Sequence, residues 1–192
     1  MTLLAKIVHL GWTAKGPELL ALGRRNWPAT FRPTASWYHD YPTTILALVS
    51  LLPEAMNGSW WTLRKPHCLI GLGAGVVFHA LSVRILGRRV PQYRVAQLPQ
   101  KELTKMVAVA ASEEIIWRAH GGQLETFLSS VGFGLTHLKI GSRQGAAHMA
   151  VFALLSQTLA RKYGLATSII FHSAYNLAHA CESRRVAEIH NQ

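Results

Sequence analysis

Two adjacent carboxylates, Glu113 and Glu114, stand in a stretch otherwise built of Val-Ala-Val-Ala-Ala-Ser before them and Ile-Ile-Trp after them, with Arg118 at its end. Ionisable groups are costly to leave in apolar surroundings, so a fold that accepts this stretch must bring partners to them. Two more apolar stretches carry polar groups in the same way: Phe133-Gly-Leu-Thr-His137 and His172-Ser-Ala-Tyr-Asn176. Together the three favour a fold in which separated helices share a polar interior.

Composition narrows the class. The 192 residues fit one domain. Charged residues make up 15% of the chain, against roughly 25% in an ordinary soluble domain. Hydrophobic residues reach 49% and are clustered. No run attains the roughly 18 purely apolar residues of an obvious membrane span. A helix bundle with a polar interior needs apolar side chains only where lipid touches it, so the expectation is an all-α, polytopic transmembrane bundle of about six spans. Mean hydropathy of +0.16 is equally compatible with a soluble helical protein. The formal charge of +11 raises a nucleic-acid reading, a soluble basic helical protein attracted to phosphate. Its cations lie between apolar stretches rather than along one face, which suits loops flanking membrane helices; membrane lipid, not nucleic acid, is the expected partner. Trp37, Trp60 and Trp61, at the ends of apolar stretches, suit an interfacial belt. Cys68 and Cys181 form no motif and read as reduced core residues. The N-terminus lacks the pattern of a removable signal peptide.

Along the chain, residues 1–42 read as an interfacial or helical segment, interrupted by Gly11, Gly16 and Pro17. Residues 43–101 hold two spans, about 43–56 and 67–86, and a basic cytoplasmic linker. Gly71, Gly73 and Gly75 in the second span include a small-xxx-small pair suited to close helix packing. Four helices follow in a core over 102–181, at about 102–119, 124–138, 144–161 and 165–181. Gly121-Gly122, Gly141-Ser142 and Tyr163-Gly164 punctuate them. A tail occupies 182–192. With six spans, fifteen of the 20 Lys and Arg fall on one side of the membrane, which places both termini in the cytoplasm.

Glu114 and Arg118 are i,i+4 neighbours, acid before base, so Arg118 is expected to pair with Glu114. Glu113 points about 100° away and is left to face the bundle as a general base. The competing reading is a plain salt bridge on a solvated helix. His172 and Asn176 also share a face one turn apart and suit the donation of two hydrogen bonds to one oxygen, as an oxyanion hole requires. A satisfied core histidine is the competing reading there. Glu113 lies eight residues beyond Lys105, and His172 ten before Glu182. At about 1.5 Å per residue both sit roughly 12–15 Å below a common surface. Zinc is a weaker alternative: two His and a Glu suit it, with His148 and His179 in reserve, but the His-Glu-xx-His spacing is absent. No cofactor or metal is expected.

These residues resemble the signatures of the CPBP intramembrane proteases, also called the CAAX protease and bacteriocin-processing or Abi family: Glu-Glu-xxx-Arg, Phe-xxx-His and His-xxx-Asn on successive core helices. All three occur in order, as Glu113-Glu114/Arg118, Phe133/His137 and His172/Asn176. The similarity covers about residues 103–180. It implies a glutamate-type intramembrane endopeptidase. Glu113 and His137 would hold and deprotonate the attacking water, His172 and Asn176 would stabilise the oxyanion, and Glu114 and Arg118 would support the site. The substrate would be a membrane-associated peptide or protein, with a lipidated tail among the candidates, and the expected location is a bacterial inner membrane. The alternative is a non-catalytic relative serving as immunity factor or assembly partner. The N-terminal half matches nothing specific in the family.

Overall fold

The computed structural model describes residues 2–26, 39–51, 64–86, 100–118 and 123–190. Several expectations lie outside these residues: the tryptophans at 37, 60 and 61, the end of the first span, most of the basic linker, and Gly121-Gly122. The described chain is all-α, as composition predicted. It runs α1 (Thr2–Asn26), α2 (Tyr41–Leu51), α3 (Lys65–Leu86), α4 (Gln100–Arg118), α5 (Gln123–Thr136), α6 (Leu138–Tyr163) and α7 (Leu165–His190).

Local chemistry accounts for several of these boundaries. Pro66 sits in the first turn of α3, where its missing N–H leaves no bond unmade. Gly164 ends α6 with φ of 94°, a backbone conformation that favours glycine, and its N–H donates to the Ala160 carbonyl. The expected break at Gly141-Ser142 is absent; the chain turns instead at His137, and α6 runs through that dipeptide. The reason lies at the end of α5. The Thr136 hydroxyl donates to the Phe133 carbonyl at 2.6 Å, the His137 ring bonds the same oxygen at 3.0 Å, and the His137 N–H reaches back to Gly134 at 3.0 Å. The last turn of α5 is thus closed by its own side chains.

α1 is continuous through Gly11, Gly16 and Pro17, where the sequence suggested interruption. Its first turns are anchored: the buried Lys6 ammonium lies 2.6 Å from Glu125 at the start of α5, and His9 is 1% exposed against α2 and α4. α7 continues past 181 to His190. Cys68 is half-buried and Cys181 exposed, so neither is the core residue expected.

Helices pair closely where glycines permit. α3 lies along α7, and a Cβ built on Gly71 or Gly75 would stand 2.6 and 2.5 Å from the carbonyl oxygens of Thr167 and Phe171; Gly73 faces open space. This is the small-xxx-small pair at work. Gly134 allows α5 the same approach to α6 at Ala146 and Ala150, and Gly132 makes room for the Trp117 ring.

Polarity is inverted in part. Lys6, Glu113, Glu114, Arg118, Gln157 and His172 are buried beside an apolar core of Trp117, Phe133, Phe152 and Phe171, while Leu69, Ile85 and Leu124 are 69%, 77% and 73% exposed. Buried charges and exposed large apolar side chains are each uncommon in a soluble domain. α3 is long and apolar enough to cross a membrane, and only 22% of its most apolar window is buried within the protein.

Candidate active site

Phe133 joins the three motifs. Fully buried on α5, its ring lies 4.7 Å from the Arg118 guanidinium of α4. Its centroid is 4.9 Å from the His137 ring and 6.0 Å from that of His172 on α7. Phe152 of α6 stacks behind it at 6.1 Å and meets His172 edge-on at 4.8 Å. An apolar hub thus fixes the positions of a guanidinium and two imidazoles.

Glu114 is 0% exposed and wholly occupied by protein partners. Oε2 accepts from Ser156 at 2.6 Å and from Ser168, and lies 3.4 Å from Arg118 Nε. Oε1 lies 2.8 Å from His172 Nδ1, which donates to it. The expected Glu114–Arg118 pairing is present. Arg118 makes no hydrogen bond to a described protein group and is held by that charge and by the face of Phe133. A buried carboxylate with four partners acts as a structural knot tying α4, α6 and α7. Sequence reading missed Ser156 and Ser168; a lone serine in an apolar helix more often bonds its own backbone, and nothing in the spacing set these two apart.

Glu113 makes a different set of contacts. It is 6% exposed, and each oxygen faces one imidazole: Oε2 is 3.7 Å from His172 Nε2, Oε1 3.8 Å from His39 Nε2. Neither separation is a hydrogen bond. His39, in the π-helical turn before α2, bonds Asp40 through Nδ1 at 3.2 Å, and Lys105 Nζ lies 3.2 Å from the other Asp40 oxygen. Burial pushes the Asp40 carboxyl up, but its bonds to His39 and Lys105 outweigh this and hold it below the ordinary range. Nothing in the sequence marked His39, because no motif surrounds it and about 70 residues separate it from Glu113.

His137 is half-buried, within electrostatic reach of Glu113, His172 and His39. Its Nδ1 lies 3.0 Å from the Phe133 carbonyl and 2.9 Å from the Thr136 hydroxyl, which itself donates to that carbonyl, so the arrangement places the proton on Nδ1 and leaves Nε2 an acceptor in the neutral ring. Asn176 is half-buried, one turn after His172, and bonds no described residue. Four of the six predicted residues (Glu113, Glu114, Arg118 and His172) therefore form one contact network. His137 borders it through Phe133, and Asn176 is placed by helical register alone.

One group of ligand atoms lies within 4.8 Å of one another: those of His9, His39 and Glu113. His9 does not fit a metal. The Trp117 indole N–H, which can only donate, points at His9 Nδ1 at 3.2 Å. The neutral ring then carries its proton on Nε2, toward Thr43 Oγ1 at 3.3 Å, and has no lone pair to offer. His39 and Glu113 alone fall short of the three protein ligands of a catalytic zinc.

No family model, no curated protein and no solved structure matches the chain.

Proposed function

We propose that the protein is an integral membrane endopeptidase in which Glu113 activates water against a peptide bond of a membrane-associated substrate. The observation that carries this reading is the Glu113 carboxylate: buried, and flanked on its two oxygens by imidazole nitrogens at 3.7 and 3.8 Å, beyond hydrogen-bond distance of either ring. A structural carboxylate in an apolar bundle would look like its neighbour Glu114, saturated by donors. Glu113 instead stands beyond hydrogen-bond distance of both imidazoles, and a water bridging them would have a base at one side. Peptide hydrolysis within lipid requires a polar cavity between helices.

The roles follow the resemblance to the CPBP family and the ring orientations. His137 Nε2, an acceptor, joins Glu113 in holding the water. Glu114, through Nδ1 of His172, aims Nε2 of that ring at the reacting centre; in its protonated form Nε2 donates to the developing oxyanion, with the Asn176 amide one turn away as second donor. Arg118 keeps Glu114 ionised. No step requires a metal.

Membrane residence is supported by the partly inverted polarity and by α3. The six-span count needs revision on length: α2 and α5, with 11 and 14 residues, extend only about 17 and 21 Å against a hydrocarbon core of about 30 Å. We place α1, α3, α4, α6 and α7 across the membrane and α2 and α5 within it as short inner helices. An odd number of crossings puts the two termini on opposite faces, in place of the shared cytoplasmic side that the charge count suggested. The deciding experiment is cleavage of a pool of membrane-inserted peptides by purified protein in vesicles, beside Glu113→Gln, with and without chelator. Loss in the variant and indifference to chelator are expected; cleavage that survives Glu113→Gln removes the assignment.

A further inference from the structure

Peptide hydrolysis needs an acid as well as a base, because the nitrogen that leaves must gain a proton as its bond to carbon breaks. Four imidazoles surround Glu113, and their hydrogen bonds give them unequal fitness for that task. His9, on α1, is a neutral ring whose tautomer Trp117 fixes. His137 carries its proton on Nδ1, spent on the Phe133 carbonyl, and presents an acceptor. His172 is held by Glu114, has only 3% of its side chain exposed, and is already committed to the oxyanion. His39 has 29% of its side chain exposed, a carboxylate on Nδ1, and Nε2 turned to Glu113.

We propose that His39 is the general acid that protonates the leaving amine in the hydrolysis assigned to this site, with Asp40 as its positioning residue. The inference rests on that assignment and extends it to a turn that no motif marks. In the first half of the reaction the water oxygen bonds to the carbonyl carbon, Glu113 takes one water proton, and the carbonyl π pair moves to oxygen. On collapse that pair re-forms the carbonyl, the C–N pair goes to nitrogen, and His39 Nε2 gives it a proton. The neutral His39 then takes the proton held by Glu113. Both groups are restored, and the products are a carboxylic acid and an amine.

The charges that face His39 support a protonated ring. Asp40 lies on its own turn, with Lys105 of α4 on the far oxygen of Asp40. Glu113 of α4 faces it directly, and His9 of α1 and His137 at the α5–α6 junction lie within electrostatic reach. Burial works against the charge, but the bond to Asp40 and the fields of Glu113 and Asp40 prevail, holding the ring above the ordinary imidazole range. Asp40 with His39 then mirrors Glu114 with His172 across the Glu113 carboxylate, one pair partly exposed and one sealed in the core.

The test uses the full chain in lipid vesicles with two probes: a pool of membrane-inserted fluorogenic peptides of randomised apolar sequence, and the same pool with the scissile amide replaced by an ester. An ester leaves as an alcohol with little need of an acid. His39→Gln is expected to slow amide cleavage by roughly 10²-fold or more while ester cleavage stays close to wild type, and Glu113→Gln to stop both. Asp40→Asn is expected to weaken amide cleavage and to lower the His39 pKa in ¹⁵N-histidine spectra. Equal loss of amide and ester cleavage in a folded His39→Gln protein overturns the proposal and leaves Glu113 standing. So does unchanged amide cleavage, or a His39 ring that is neutral at pH 6. Failure of the wild type to cleave either probe overturns the proposal together with the hydrolysis on which it rests.

Discussion

A single ring, His172, links two consecutive carboxylates that have different duties: its Nδ1 lies 2.8 Å from Glu114 and its Nε2 3.7 Å from Glu113. Neighbouring residues on a helix diverge by about 100°, and the ring inserted from α7 bridges the gap between them. The Glu-Glu pair is therefore read as one residue that holds α7 in place and one that meets a reactant.

Removing the holding residue should cost stability first. Glu114→Ala leaves Arg118 buried without its counter-ion, which is expected to destabilise the protein by about 3–5 kcal/mol. Arg118→Met should cost comparably, and the double variant less than the two summed. Thermal unfolding in detergent measures each; additive losses would show that the pair does not act as a unit.

Helix packing gives a sharp contrast within four residues. Gly75→Ala drives a methyl into the Phe171 carbonyl at 2.5 Å and the Ala174 side chain at 2.8 Å and should cost about 1–3 kcal/mol. Gly73→Ala meets nothing within 4 Å and should leave stability unchanged or raise it by up to about 1 kcal/mol, alanine being the better helix former. Melting temperatures of the two variants decide it.

The His39–Asp40 pair should leave a signature in pH. Asp40 is held below its ordinary pKa of 3.8, so the stability it lends is present above about pH 4 and lost as pH falls through its depressed native value. His39 is held above 6.5, so its contribution is present below that value and lost as pH rises through the raised one. The coupling between His39→Gln and Asp40→Asn in a double-mutant cycle should therefore be greatest near about pH 5 and shrink on either side. A cycle flat from pH 3 to 9 would contradict the pairing.

Trp117→Phe keeps the ring that Gly132 accommodates but deletes the N–H that faces His9. The expected loss is about 1 kcal/mol, with the His9 ring released to either tautomer. Histidine ¹⁵N shifts that stay the same in the variant would show that the indole was not choosing the proton's position.

Legibility followed local geometry. Glu114 with Arg118, and His172 with Asn176, are i,i+4 relations within one helix, and the sequence states them outright. The glycines at 71 and 75 were equally plain, since spacing alone places them on one face. What could not be read was anything assembled from separate helices. Ser156 and Ser168 look like any serine in an apolar helix until the Glu114 carboxylate is placed between them. His39 and His9 reach Glu113 only through the packing of α1 and the turn before α2, and no short-range pattern encodes that. The end of α5 was read to within two residues, but the immediate restart of α6 was not: Gly141-Ser142 suggested a longer gap, while side-chain bonds to the Phe133 carbonyl closed the helix at His137 and α6 runs through that dipeptide.

The passage of α1 across the bundle has a practical corollary for anyone seeking a minimal enzyme. Trimming the protein to its motif-bearing half would discard His9 and the ammonium that locks onto Glu125, and would uncover the Trp117 flank. Such a fragment would keep every signature and lose the helix that braces α4 and α5, so shortening from the front should destabilise the fold well before any motif is reached.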